Sequence, residues 1–327
     1  MFMKVTIKDI AEMAGVSKST VSRYLNEGYV SEENREKISE AIEKTGYKTN
    51  FFAKRLKSKR SHLIGVIVPR LDSFTATKTL KGISEQLERV DYEMFISITN
   101  LNIDREIEYI KKFYLQGVDG IIVSSSIITE KHYEIVKGLP IPVLFVGQED
   151  DRLNCISIDD RLAGYLLGEY IRNQGHRDIV YLGVNEKDKA VGFERKSGFM
   201  EAFNEDYHNI NFVETDFFFQ NAYKKAEKVM EYNPSAIVCA TDNIAIGVIR
   251  YLSENDYKIP EEVSIAGFGG YDIGTAIHPP LTTVAIDYRG LGKKAAKSIL
   301  NLIDDEKLEE EYNIGLKLIK RESVREL

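Results

Sequence analysis

Four side chains near the start of the chain, Lys18, Ser19, Ser22 and Arg23, have the chemistry to read DNA base edges. Lys and Arg donate to guanine O6 and N7, and Ser donates or accepts. Their spacing puts them on one side of a helix. A second polar set is scattered over the remaining chain, each member just after an apolar run. It comprises Arg70, Asp72 and Phe74; Ser124 and Ser125; Gln148; Asp159 and Asp160; Thr241 and Asp242; Tyr271 and Asp272. Carboxylate, amide, hydroxyl and aromatic groups in one place suit a carbohydrate, which offers hydroxyls to bond and flat apolar faces to stack.

The elements that hold the first set are legible in Thr6 to Asn26, TIKDIAEMAGVSKSTVSRYLN. Thr6 is an N-cap with Asp9 three residues on, and Val5 and Ile10 flank it as a staple. Ile7, Ile10, Ala11 and Ala14 share a face, and Gly15 can end the helix in a left-handed conformation. Ser17 caps a second helix whose Val21 and Leu25 turn inward. A third starts at Ser31 with Glu32 and Glu33 in its first turn, buries Ile38, Ala41 and Ile42, and stops at Gly46. Asn50 can cap a short basic segment, NFFAKRLKSKR, with Phe52, Ala53 and Leu56 apolar and Lys54, Arg55 and Lys57 among its cations. A helix this short needs something else to stabilise it.

From His62 the pattern changes to strand-like runs alternating with amphipathic helical ones. The strands are expected at 63–68, 92–98, 120–124, 142–146, 178–184, 211–215, 236–240, 263–268, 282–286 and 313–319. The helices are expected at 76–90, 103–116, 129–137, 161–174, 194–205, 221–232, 242–254 and 289–304. Such alternation predicts parallel sheets covered on both faces. Ligands of open α/β sheets bind at the carboxyl ends of the strands, which is where the second polar set falls.

The whole-chain numbers bound these readings. A chain of 327 residues can hold two or three compact units. The net charge of −7 hides a division: residues 1–60 carry 13 Lys and Arg against 8 Asp and Glu, a net of +5, and the remainder nets −12. A basic head on an acidic body fits a local DNA footprint. Cys155 and Cys239 read as buried thiols rather than a disulfide. With no secretory apolar region or long apolar span, a cytoplasmic protein without membrane contact is expected. No nucleophile elbow, phosphate loop or dinucleotide fingerprint is present, and the five histidines lack metal spacing, so neither an enzyme nor a metal or cofactor is expected. A transporter's solute-binding protein would suit the body but not the basic head.

The stretch from Thr6 to Asn26 resembles, nearly residue for residue, the N-terminal signature of the lactose-repressor (LacI/GalR) family of bacterial transcription regulators. GHRDI at 175–179, ATDNIAIG at 240–247 and HPPLTTV at 278–284 extend the resemblance over the chain. It implies a helix-turn-helix headpiece (1–48), a hinge helix (49–61) and a periplasmic-binding-protein-like core (62–327) of two doubly wound parallel-sheet lobes. One lobe would be about 62–160 plus 288–314, the other about 161–287 plus 315–327. The family's hinge helix wedges a leucine between minor-groove base pairs, and Leu56 holds that position. The family's usual Pro before the hinge Asn is Thr49 here, which predicts a less rigid entry.

The resemblance further implies a homodimer on a pseudopalindromic operator. Lys18, Ser19 and Arg23 would read bases, while Thr6, Ser17, Thr20, Ser22, Asn26 and Asn50 would contact phosphates. Ala53, Lys54, Leu56 and Lys57 complete the expected DNA set. A small sugar would bind between the lobes against Arg70, Asp72, Phe74, Ser124, Gln148, Asp159, Arg195, Phe217, Thr241, Asp242, Tyr271 and Asp272. Arg195 sits where the family places an Arg on effector hydroxyls, and Phe217 or Phe218 is the candidate stacking ring. Where many sugar-responsive members have Asp after the late strand's GF, this chain has Gly269. IVPRLDS, VGQ, EKDKAVG with RKSGF, and GFGGYD resemble the family's sucrose-operon repressors, with likenesses to trehalose-operon repressors. Sucrose or its hexose product is the expected effector, then trehalose or a sugar phosphate. Some relatives also use a phosphocarrier protein as co-repressor. The helices near Phe74 and Leu291 are the expected dimer elements.

Overall fold

The computed structural model describes residues 5–25, 28–47, 60–203, 208–308 and 314–327. The chain divides into two compact units, Met1–Ser61 and His62–Leu327.

The first unit holds α1 (Ile7–Ala14), α2 (Lys18–Leu25) and α3 (Glu32–Thr45). Thr6 and Asp9 form the capping box: the Asp9 carboxylate accepts from Thr6 N at 2.8 Å, and Asp9 N donates to Thr6 Oγ1 at 3.4 Å. Those bonds hold the Asp9 carboxyl below its ordinary pKa, the Thr6 backbone N–H contributing most. Gly15 ends α1 at φ 64°, a conformation that a side chain would resist. Ile10, Ala11, Ala14, Val21, Ile38 and Ala41 form the core, joined by Val30 and Tyr47 from the flanking loops. So small a core leaves little stability in reserve.

The second unit is built on two sheets. The first runs β2-β1-β3-β4-β5, all parallel, from β1 (Leu63–Val68), β2 (Glu93–Ile98), β3 (Gly120–Ser124), β4 (Val143–Val146) and β5 (Asn154–Ile156). Its helices are α4 (Phe74–Leu87), α5 (Ile103–Leu115) and α6 (Glu130–Lys137). The second sheet runs β11-β10-β9-β8-β6-β7, from β6 (Asp178–Gly183), β7 (Asn209–Glu214), β8 (Ala236–Cys239), β9 (Ser264–Gly269), β10 (Thr282–Ile286) and β11 (Leu316–Ile319). Only the edge pairing of β10 with β11 is antiparallel, with Thr283 opposite Ile319. Four helices intervene: α7 (Asp160–Asn173), α8 (Arg195–Glu201), α9 (Phe219–Met230) and α10 (Asp242–Glu254). The central strands are apolar along their length because both faces are covered: β1 is buried at all six positions and β8 at all four.

After β10 the chain leaves the second sheet for α11 (Tyr288–Ile303), which packs on α4 beside the first, and then returns as β11. Gly82 and Gly292 let α4 and α11 touch backbone to backbone: a Cβ on either would fall on a carbonyl oxygen of the other helix, that of Arg289 or of Thr79. Leu291 turns into its own lobe's core at 3% exposed. The three-residue β5 is too short for its periodicity to show in sequence. A π-helical turn, Lys189–Glu194, precedes α8 where the sequence reads as loop. Cys155 and Cys239 are both free, and burial pushes the Cys155 thiol up to about 11. Among the described residues no helix is long and apolar enough to cross a membrane.

Candidate functional site

In the first unit Ser17 sets the register of α2. Its Oγ accepts from Thr20 N at 3.1 Å and lies 2.7 Å from Ser19 Oγ and 2.8 Å from Thr20 Oγ1. Val21 anchors the helix in the core at 0% exposed. Lys18, Ser19 and Arg23 are thereby left exposed, and Ser22 half-buried beside them. Thr6 is exposed at the N-terminus of α1. Asn26, Asn50, Ala53, Lys54, Leu56 and Lys57 lie outside the described residues.

In the second unit the residues following the strands line a crevice of about 360 Å³ between the two sheets. Its base is Arg195, only 1% exposed. Nε donates to Asp160 Oδ1 at 2.8 Å, Nη2 to the same carboxylate, and Nη1 to the Ala240 carbonyl at 2.7 Å. Two glycines let the carrying helices meet: a Cβ on Gly164 of α7 would fall on the Arg195 carbonyl, and one on Gly198 of α8 on that of Arg161. Burial pushes the Asp160 carboxyl up, and the Arg195 charge opposes that shift. The pair thus presents a fixed, internally neutralised fork to whatever occupies the crevice.

Four contacts join the two walls. Arg70 holds Asp72 in a bidentate pair, at 2.8 and 3.0 Å, and lays its guanidinium 4.0 Å from the centroid of the Phe218 ring. Phe74 stacks on Tyr271 at 4.3 Å between centroids. Lys78 Nζ donates to Asp272 at 3.0 Å, and Gln148 Nε2 to Asp188 Oδ1 at 3.1 Å. Burial raises the Asp188 carboxyl, against the bonds from Val191 N and Gln148.

Of the residues nominated from sequence, Arg70, Asp72, Phe74, Ser124, Gln148, Arg195, Phe217, Thr241, Tyr271 and Asp272 line the crevice. Two do not. Asp159 is the exposed N-cap of α7, its Oδ1 accepting from Leu162 N at 2.8 Å. An N-cap side chain turns back onto its own helix, so the next residue, Asp160, faces inward instead. Asp242 is sealed behind the wall at 0% exposed. It accepts from Tyr271 N at 2.7 Å and from the Thr283 hydroxyl at 2.6 Å, and burial pushes it up to about 6. Its role is to hold the turn that presents Tyr271. That turn also accounts for Gly269: φ is 130° there, and a Cβ would strike the Tyr271 ring. Asp188, Asn243 and Tyr288 line the crevice without having been nominated. Asp188 caps a π-helical turn, which has no sequence signature, and Tyr288 opens a helix that the sequence starts one residue later, at 289. His132 and His176 are both fully buried; His132 bonds Glu106 at 2.8 Å, and His176 bonds Ser235 and the Arg325 carbonyl.

Residues 6–50 match the family described as bacterial regulatory proteins, lacI family, and residues 169–324 match a periplasmic binding protein-like domain. The sucrose operon repressor of Staphylococcus xylosus is 38% identical over 314 residues, covering 95% of this chain and 97% of that protein. The chain belongs to the lacI family. Membership makes it a regulatory protein rather than an enzyme, with the headpiece and two-lobed α/β core described above. The fold agrees with a lac repressor dimer bound to operator and the anti-inducer ONPF: TM-score 0.91 at 24% identity, covering 99% of this chain and 100% of that one. A lacI family regulator from Enterococcus faecium with bound ribose aligns with TM-score 0.73 and 27% identity over 81% of this chain and 99% of that one.

Proposed function

We propose that this protein represses a sugar-utilisation operon as a homodimer whose two headpieces read a pseudopalindromic operator, and that a small sugar in the crevice controls it. The observation that carries the reading is the buried Arg195–Asp160 fork at the base of a crevice lined by amide, hydroxyl and aromatic groups. The helix-turn-helix supplies the output, with Lys18, Ser19 and Arg23 as base readers and Thr6, Ser17, Thr20 and Ser22 as phosphate contacts. From the resemblance, Asn26, Asn50, Ala53, Lys54, Leu56 and Lys57 join the DNA set. The kinship with a sucrose operon repressor favours sucrose or its hexose product as effector. Fluorescence anisotropy on DNA from upstream of the protein's own gene, at fixed salt, tests this. Release of the operator by sucrose or fructose is the expected result. Tight binding indifferent to every sugar would overturn sugar control and point to a protein co-repressor. Failure to bind the DNA sequence-specifically would overturn the repressor reading.

A further inference from the structure

Asp242, at 0% exposed, is the hub of a bonded cluster behind the crevice wall. It opens α10, with Thr241 as the cap. Thr283 of β10 donates its hydroxyl to Oδ1 at 2.6 Å, and Tyr271 N donates to Oδ2 at 2.7 Å. Thr283 Oγ1 in turn accepts from Gly270 N at 3.3 Å. Gly270 stands at φ 70°, and a Cβ there would strike Ala285 of β10. The turn from Gly269 to Tyr271 is thus tied to one carboxylate and to the strand beside it.

What that turn carries is crevice wall. Tyr271 and Asp272 both line the crevice. Tyr271 stacks on Phe74 and Asp272 pairs with Lys78, both on α4 of the opposite lobe. Whatever loosens the turn therefore moves a binding surface and two of the contacts between the lobes.

The strength of the tie depends on charge. An ionised carboxylate accepts from both donors, and charge-assisted bonds are roughly twice as strong as neutral ones. A protonated Asp242 brings a hydroxyl of its own among groups that already donate to it, so one bond must reverse or break. The titratable and charged groups around it are Cys239 at the end of β8, Tyr271 on the turn, Tyr288 at the start of α11 and Arg321 after β11. Of these only Arg321 is a cation, and its Nη1 is engaged by the Leu281 carbonyl. Burial accordingly pushes the Asp242 carboxyl up to about 6, against the bonds from Thr283, Tyr271 and Gly270.

We infer that Asp242 is a proton-linked positioning residue: its ionised form holds Tyr271 and Asp272 in the crevice wall, and a proton taken up there opposes the effector. This rests on the sugar-effector reading above and adds a second ligand, the proton, to it. Linkage fixes the sign. If the ionised form favours the sugar, sugar binding must expel the proton from those molecules that still carry it.

Calorimetry on the full-length protein, with sucrose and fructose as probes, tests it between about pH 5 and 7.5. The tighter-binding sugar should bind about three- to tenfold more weakly at the acid end, the fall beginning near pH 6. Titrations near that pH in two buffers of different ionisation enthalpy should show proton release on binding. Asp242→Asn cannot ionise, so its affinity should be the same across the range and close to that of the native protein at the acid end. Thr283→Val removes a bond that lowers the carboxyl's pKa, so its profile should keep its shape and move to higher pH. Asp160 and Asp188, which burial also raises, line the crevice itself and are intact in both variants. A pH dependence that survives Asp242→Asn would belong to them and would overturn the inference. So would native affinity that does not change with pH, or a Thr283→Val profile that does not move. Binding of neither sugar at any pH would overturn the sugar reading as well.

Discussion

Arg195 and Asp160 carry opposite charges at 1% and 4% exposure, so neither tolerates loss of the other. Arg195→Leu should destabilise the core by about 3–5 kcal/mol, because it strands a buried carboxylate. Adding Asp160→Asn should recover much of that stability and none of the sugar affinity. Denaturant unfolding and calorimetry on the single and double variants separate the two effects. Asp242 makes a different prediction. Its folded pKa of about 6 lies above the ordinary value of 3.8, so between those values the folded state binds the proton more readily. Its burial therefore costs stability at neutral pH, and the cost is relieved as pH falls from 6 towards 4. Asn at 242 does not titrate, so the stability of the native protein relative to Asp242→Asn should rise on acidification through that window, by up to about 3 kcal/mol. A pH-independent difference would place the Asp242 pKa near its ordinary value.

The helix pairs carry the next predictions. Gly292→Ala puts a methyl group where the Thr79 carbonyl of α4 lies, so α4 and α11 must separate. Overpacking of this kind should cost about 1–3 kcal/mol and lower the thermal midpoint. For the hinge proposed at 49–61, Leu56→Ala should weaken operator binding and leave sugar affinity intact; unchanged operator affinity would rule out a wedge. At this scale the sequence was informative where periodicity and caps are long-range signals. The 282–286 strand and 242–254 helix stand where the sequence puts them, as does the Thr6–Asp9 capping box. The losses have physical causes. A three-residue strand has no period, a π turn has no signature, and a one-residue shift between Asp159 and Asp160 exchanges a helix cap for a crevice wall. Nor does any sequence pattern show that a strand-end acid such as Asp242 points away from the cavity, because that depends on Thr283, 41 residues on.

Over the whole molecule, net charge and allosteric linkage are the testable quantities. The +5 of residues 1–60 predicts operator affinity falling steeply with salt, by orders of magnitude between about 50 and 200 mM. Arg23→Ala should lose about 1–3 kcal/mol of discrimination at one base position; sequence-independent weakening would reclassify it as a phosphate contact. Control by sugar also obliges reciprocity: the factor by which sugar weakens operator must equal the factor by which operator weakens sugar. Titrations in both orders check this.

The late return of α11 to the first sheet has a consequence during synthesis. The strands of that sheet end at Ile156, yet the helix that covers α4 is not complete until Ile303, about 150 residues later. At a ribosome speed of ~5–20 residues per second, the apolar surface that α11 covers waits on the order of ten seconds or more for its lid. The first lobe thus cannot finish before most of the second has emerged, and a nascent chain stalled near residue 280 should present that surface to chaperones.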